Sequence, residues 1–360
     1  MARQRETTSI SNVIRIGGAF IAWLIGSGFA TGQEVLQFFS SFGLWSIGVV
    51  VLSLAGFIAI GSILLTTGYE QRGVKPFNHF KYFCGEKLGA FYSWLIPLTL
   101  IGMMTVLVSG AGATLAEAYG IHHAIGSALM AGLVLCAYLI GFERLVRVVA
   151  SIGPAIILFA LLVGTLTLVR GRVDFAEIAR QAGSLSRSQA APHWLISAGL
   201  YLSLNLLTGS AYFIQLGAGA ANRTEARRGA LLGAAAFMGA LAITNAAILL
   251  NAQSVSTVDI PMLLLAKRIS AGLGGVFSLV LLGGMFSACS AMLWSVCSRF
   301  EWGGRRANQA FAAVVALLVF ALSLFSFRSL LGVLYPLVGY SGLAFIAMVL
   351  YKGMQRRSVD

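Results

Sequence analysis

Long apolar runs separated by short polar segments dominate this chain. A membrane-spanning helix needs about 20 predominantly apolar residues, and ten runs approach or exceed that length. The pattern therefore predicts an all-α integral membrane protein with ten transmembrane helices. The runs are residues 10–39, 43–67, 88–118, 122–141, 146–169, 193–220, 227–250, 272–298, 307–327 and 330–351.

The first run is interrupted by the polar stretch GSGFATGQE, residues 26–34. Glycine weakens a helix by about 1 kcal/mol relative to alanine, and three glycines within seven positions predict an unwound point. The sixth run has a polar patch at residues 203–210. Paired interruptions of this kind are the best sequence pointer to a transporter binding site. We therefore predict that helix one is broken at about 26–32 and helix six at about 204–210.

Composition supports the membrane class and explains the charge. Hydrophobic residues make up 58% of the chain and charged residues 10%, whereas soluble domains contain about 25% charged residues. The net charge of +13 is also typical of nucleic-acid binding, but the basic residues lie between the apolar runs or near their ends. Most of the 25 Lys and Arg residues fall in the segments on one side of the membrane, which places both termini in the cytoplasm. The lipid bilayer is the expected partner, and no nucleic acid is.

The ten runs divide into two halves of nearly equal length. Residues 1–170 hold the first five runs, residues 171–191 form an outer connecting loop, and residues 192–360 hold the last five runs and a cytoplasmic tail. Because five is odd, the second half enters the membrane with the opposite orientation. The expected architecture is a 5+5 inverted repeat. The sequence carries no signal for an oligomeric state.

The stretch at residues 26–34 resembles a known family. Gly26-Ser27-Gly28 resembles the GSG motif of amino acid–polyamine–organocation transporters, and the longer stretch resembles YkvI-type membrane proteins of that superfamily. This resemblance implies the LeuT fold with broken helices one and six, and a bacterial cytoplasmic membrane. It also implies that the backbone around Gly26, Ser27 and Gly28 binds a substrate carboxylate.

Other polar side chains at the two interruptions are candidate ligands. Glu34 is the only acidic residue deep inside a run, about six residues or 9 Å outward of Gly28 along a straight helix. It is a substrate-amine partner, a gate or a protonatable group, or else a structural carboxylate. Asn205, Thr208 and Ser210 either contact substrate or cap freed backbone groups. Tyr201 is expected to serve packing.

The coupling ion is assigned by the same resemblance. Sodium-coupled members of this fold place the cation between carbonyls of helix one and hydroxyls of helix eight, which here implies Ala22 and Ile25 with Ser287 and Ser290. Only one of the usual paired hydroxyls is in place. Proton-coupled relatives instead carry a lysine in helix five, and residues 146–169 contain none. We therefore favour sodium over a proton and expect no other cofactor.

These features predict a secondary active transporter. The expected solute is a small amino-acid-like molecule or carboxylate, moved by alternating access with sodium. The alternatives are a proton-coupled transporter and a transport-inactive sensor on the same fold. An enzyme is not expected, because one isolated glutamate does not supply the convergent acids, bases or metal ligands that catalysis requires.

Overall fold

The computed structural model describes residues 8–25, 27–74, 76–141, 153–171, 180, 182–300 and 304–357, and the regular structure in these ranges is helical. The first apolar run forms three short helices, α1 (Ile10–Leu24), α2 (Ser27–Thr31) and α3 (Gln33–Phe38). The remaining α-helices are α4 (Ser46–Glu70), α5 (His79–Tyr119), α6 (His123–Ile140), α7 (Gly153–Arg170), α8 (Trp194–Ala218), α9 (Arg223–Leu250), α10 (Ala252–Val255), α11 (Pro261–Ile269), α12 (Ala271–Arg299), α13 (Arg305–Ser323) and α14 (Phe327–Arg357).

The helices are those of a multi-pass membrane protein. Within the described residues, seven helical segments are long and apolar enough to cross a bilayer, and α1 and α7 are shorter apolar helices. A helix, or in the first run a series of helices, overlaps each of the ten apolar runs. Two short 3-10 helices, Ser40–Trp45 and Ala182–Ser188, pack against each other beside α3.

The first run is interrupted at two points. Ile25 leaves helical geometry with φ −85° and ψ 75°, and Gly26 lies outside the described residues. The second interruption is at Gly32, which has φ +80°, a conformation that favours glycine because it has no Cβ. The Thr31 hydroxyl donates to the Gly28 carbonyl (2.7 Å) and accepts from the Gln33 N–H (3.2 Å). These bonds satisfy backbone groups that the broken helix leaves free.

The sixth run does not break, so this part of our prediction is wrong for the structure. Helix α8 continues from Trp194 to Ala218 through residues 204–210. Its polar side chains bond to carbonyls of their own helix: Asn205 donates to Tyr201 (2.9 Å) and Thr208 donates to Leu204 (2.7 Å). Such back-bonding is compatible with a continuous helix. Polarity in the sixth run therefore does not cause unwinding.

Helices α4 and α8 approach so closely that their backbones touch. A Cβ added to Gly68 would overlap the Ile214 carbonyl, and one added to Gly217 would overlap the Leu65 carbonyl. Small residues permit this approach between membrane helices, and it explains part of the chain's content of 42 glycines.

We expect Gly217→Ala to lower the free energy of unfolding by about 2–3 kcal/mol, since the new methyl group meets backbone that cannot rotate away. Gly239→Ala on α9 is the matched control, because a Cβ there has no heavy atom within 4 Å. Thermal unfolding of the two purified variants in detergent measures the difference. Equal stability of both would contradict a rigid contact between α4 and α8.

The helices pack as two groups. Helices α1, α4, α8 and α9 pack together, and α5, α6, α12 and α13 form the second group. Helix α14 packs against α8 in the first group and against α5 in the second. The short helix α2 contacts α12 and α5 of the second group, and α3 contacts α8 and α9 of the first group. The interruption of the first run therefore lies between the two groups.

Candidate functional site

The Glu34 carboxylate lies against Gly28. A Cβ built on Gly28 would be 2.7 Å from Glu34 Oε2 and 3.1 Å from the Tyr335 hydroxyl. Helical side chains tilt toward the N-terminus of their helix, and the left-handed Gly32 changes the chain direction between α2 and α3. The Glu34 carboxylate therefore comes next to Gly28, although a straight helix would separate the two residues by about 9 Å along its axis. It occupies the space beside Gly28 that the resemblance assigns to a substrate carboxylate.

Two phenols flank this carboxylate. Tyr201 on α8 and Tyr335 on α14 both interact electrostatically with Glu34, and both are buried. The Tyr201 hydroxyl has no hydrogen bond of good geometry. Sequence reasoning assigned Tyr201 to packing, and no local signal marks Tyr335, which is 301 positions after Glu34 in the sequence.

An aromatic shell surrounds Tyr201. Its ring lies 4.8 Å from Phe39, 5.5 Å from Phe38 and 6.1 Å from Phe57, centroid to centroid, and is stacked on Phe237 at 6.5 Å. All four phenylalanines are fully buried. This packing fixes the phenol ring, so the prediction that Tyr201 packs in the core is correct but incomplete.

The residue beside Glu34 is also polar and buried. The Gln33 side chain has no exposed surface, and neither its amide nitrogen nor its amide oxygen has a hydrogen-bond partner among the described residues. A buried amide without partners is costly, about 1–3 kcal/mol per group. Buried polar groups without partners are unusual in folded proteins, and a functional role is one of their established explanations.

The predicted substrate residues are distributed unevenly. Glu34 and Gly28 meet, while Gly26 lies outside the described residues and only the backbone of Ser27 is described. Asn205 lies near the Tyr201 hydroxyl. Ser210 is bonded to His79 at 2.9 Å, near the start of α5, which is the predicted cytoplasmic end.

Thr208 lies between those two positions on α8. It is half-buried, and its hydroxyl bonds to carbonyls of its own helix. The residues of α8 therefore do not gather around Glu34 as one group.

The predicted ion ligands lie on adjacent elements. Helix α12 carries Ser287 and Ser290 and packs beside α2. Helix α2 begins two residues after Ile25 in the sequence. Ser290 is buried, and its hydroxyl has no partner in the described chain. Ser287 is half-buried, and the Ala22 side chain is exposed. The last carbonyls of α1 lack intrahelical donors, so Ala22 and Ile25 offer backbone oxygen rather than side chains.

Polar networks tie the helices at both ends of the bundle. At the predicted cytoplasmic end, Glu225 accepts from the N–H groups of Ser9 (2.7 Å) and Ala221 (3.0 Å) and from the Asn12 amide. These bonds fasten the start of α1 to the start of α9.

At the opposite end, Arg328 donates to the Val258 carbonyl (2.8 Å) and Gln37 donates to the Arg328 carbonyl (3.0 Å). Glu117 accepts from the Asp259 N–H (2.7 Å). The segment between α10 and α11 is thereby held to α5 and α14. Clefts of about 550 Å³ beside Trp45 and about 290 Å³ beside Arg170 lie elsewhere, and Glu34 lines neither.

Comparison with known proteins yields both sequence relatives and structural neighbours. No family model matches the chain. It is 26% identical over 349 residues to YkvI of Bacillus subtilis (strain 168), an uncharacterised membrane protein, covering 94% of this chain and 95% of YkvI.

Two solved structures share the architecture. The inward-facing conformation of Mhp1 matches 97% of this chain and 80% of its own, with a TM-score of 0.60 and 14% identity. The H236A mutant of the Eremococcus coleocola manganese transporter matches 96% of this chain and 79% of its own, with a TM-score of 0.59 and 13% identity. The chain is therefore similar to the membrane protein YkvI over nearly its whole length, and it shares the fold of Mhp1 and the manganese transporter, which is the LeuT fold.

Proposed function

We propose that this protein is a secondary active transporter that moves a small amino-acid-like solute by alternating access. The carrying observation is the buried Glu34 carboxylate placed against Gly28 at the interruption of the first run. A charge at membrane depth costs at least about 2.5 kcal/mol. Here a carboxylate is kept at this depth beside a broken helix, next to the Gln33 amide and the Tyr201 hydroxyl, which lack hydrogen-bond partners in the described chain. Such a group of polar side chains is suited to binding a polar solute. The LeuT fold supports alternating access, which is also what the predicted inverted repeat of ten spans would provide.

Sodium is the proposed coupling ion. The unpartnered Ser290 hydroxyl supports a site between α12 and the end of α1, where Ala22, Ile25 and Ser287 supply further oxygen atoms. One structural neighbour is named as a manganese transporter. Among the described residues, however, no three His, Cys, Asp or Glu side chains are grouped to hold a metal. A proton carried by Glu34 is the second candidate, because this carboxylate is buried and has no cationic partner in the described chain.

Uptake into proteoliposomes tests the function. We expect labelled alanine to accumulate against its gradient when sodium is higher outside, and not when sodium is replaced by potassium. Accumulation driven only by a pH gradient would favour proton coupling. Binding of solute with no accumulation under either gradient would favour the transport-inactive sensor.

The Ser290→Ala variant tests the ion site separately. Losing one hydroxyl from a cation shell removes about 1.5–3 kcal/mol, so the sodium concentration for half-maximal uptake is expected to rise about 10-fold or more. Ser298→Ala is the matched control, because Ser298 is an exposed serine on the same helix whose hydroxyl bonds to Ser295. Equal sodium dependence of the two variants would place the ion elsewhere.

A further inference from the structure

We infer that the site formed by the Glu34 carboxylate beside Gly28 recognises the ammonium group of its solute. A small primary amine without a carboxylate is then a sufficient ligand. This inference rests on the proposed transport function and narrows its substrate class. It departs from the expectation that the backbone around Gly28 receives a substrate carboxylate.

The protein supplies its own carboxylate at this position. Glu34 Oε2 lies 2.7 Å from where a Gly28 Cβ would be, so a solute carboxylate placed against Gly28 meets a second negative group. Two carboxylates sharing one buried site repel strongly, and one of them must take up a proton or leave. A cationic group placed there is attracted instead. The geometry therefore selects positive charge beside Gly28.

Nothing in the described chain already neutralises this carboxylate. The ion pairs of Lys81 with Glu86 and of Arg223 with Glu70 lie near helix ends, and neither includes Glu34. Glu34 is only 6% exposed, and the phenols beside it are neutral groups. A buried carboxylate without a cationic partner is strongly unfavourable. A cationic ligand supplies the missing partner.

The surrounding groups suit an ammonium ion. An ammonium group donates three hydrogen bonds, and one carboxylate leaves it under-satisfied. The hydroxyls of Tyr201 and Tyr335 lie beside Glu34 and can accept from N–H, and the Tyr201 hydroxyl has no competing bond of good geometry. Aromatic faces also attract cations, by about 0.5–2 kcal/mol.

A matched series of three probes tests the inference on the purified full-length chain. Ethylamine is alanine without its carboxylate, and propionate is alanine without its amine. We expect ethylamine and alanine to raise the melting temperature of the wild-type protein and propionate to leave it unchanged. Propionate binding as tightly as ethylamine, or no binding by ethylamine, overturns the inference.

Two variants assign the effect to the carboxylate. Glu34→Gln is expected to weaken ethylamine binding about 10- to 100-fold, since a charged hydrogen bond is lost. Glu34→Asp keeps the carboxylate on a side chain that is one methylene shorter. This variant is expected to retain the preference for ethylamine over propionate. It therefore separates loss of the negative charge from loss of folding. Glu86→Gln, at an exposed carboxylate, is the control. Unchanged ethylamine affinity in Glu34→Gln would overturn the assignment.

Different results would contradict the transporter function and the ammonium site. If ethylamine binds through Glu34 but neither it nor alanine ever accumulates in proteoliposomes, the ammonium site stands and the transporter function fails. If propionate and alanine accumulate while ethylamine neither binds nor competes, the transporter function stands and the ammonium inference fails.

Discussion

Replacing Glu34 with glutamine is expected to abolish gradient-driven accumulation of alanine. Glutamine preserves the size of the side chain and much of its hydrogen bonding, so the helices around it should still fold. The variant removes the negative charge that lies beside Gly28, and with it about 2 kcal/mol of binding to a charged solute group. Uptake, exchange and affinity measured on this one variant separate the roles that Glu34 can have.

Each role gives a distinct pattern. A partner of the solute ammonium loses affinity, exchange and accumulation together. A carrier of the coupling proton keeps exchange between internal and external solute but loses accumulation driven by a pH gradient, because glutamine mimics the protonated acid. A purely structural carboxylate changes only the melting temperature. Unchanged values in all the transport measurements would eliminate both functional roles.

The second large effect is expected from Gly28→Ala, which keeps the Glu34 charge but moves it. The new methyl group would lie 2.7 Å from Glu34 Oε2 and 3.1 Å from the Tyr335 hydroxyl. A contact of 2.7 Å cannot persist, so the carboxylate must shift, and the phenol must give by a few tenths of an ångström. Since displacement of about 1 Å at a site can cost 100-fold in rate, we expect uptake to fall by about that factor. Labelled alanine uptake into proteoliposomes measures it.

Gly18→Ala in α1 is the control for this variant. It makes the same chemical change in the same broken span, but a Cβ at Gly18 has no heavy atom within 4 Å. Near-wild-type uptake by Gly18→Ala and a large loss in Gly28→Ala would locate the effect at the carboxylate. Similar uptake by both variants would show that the space beside Gly28 is not critical.

The interruption of the first run was accessible from sequence because its cause is local. Three glycines within residues 26–32 lower helix stability directly, and the structure changes geometry at Ile25 and again at Gly32. The approximate positions of the other helices follow from apolar length, because a helix overlaps each of the other predicted runs, although α5 begins at His79, before its run at residues 88–118.

The composition of the site was less accessible because it depends on tertiary packing. Asn205 and Thr208 bond to their own helix, and side-chain polarity does not reveal whether such a bond forms or the backbone unwinds. Glu34 reaches Gly28 only because the backbone bends at Gly32. Tyr335 joins it from the last helix, and sequence spacing carries no information about a contact between segments so far apart.

The backbone contact between α4 and α8 bears on how the protein moves. Because Gly68 and Gly217 bring carbonyl groups against the neighbouring helix, neither helix can slide or tilt without breaking that contact. These helices, with α1 and α9 packed on them, should therefore travel as a single rigid body. The hinge then lies at Ile25 and Gly32, where the first run leaves helical geometry. Glu34 lies just beyond that hinge. The motion that opens the site to one side of the membrane should therefore also move the Glu34 carboxylate relative to α12 and α5.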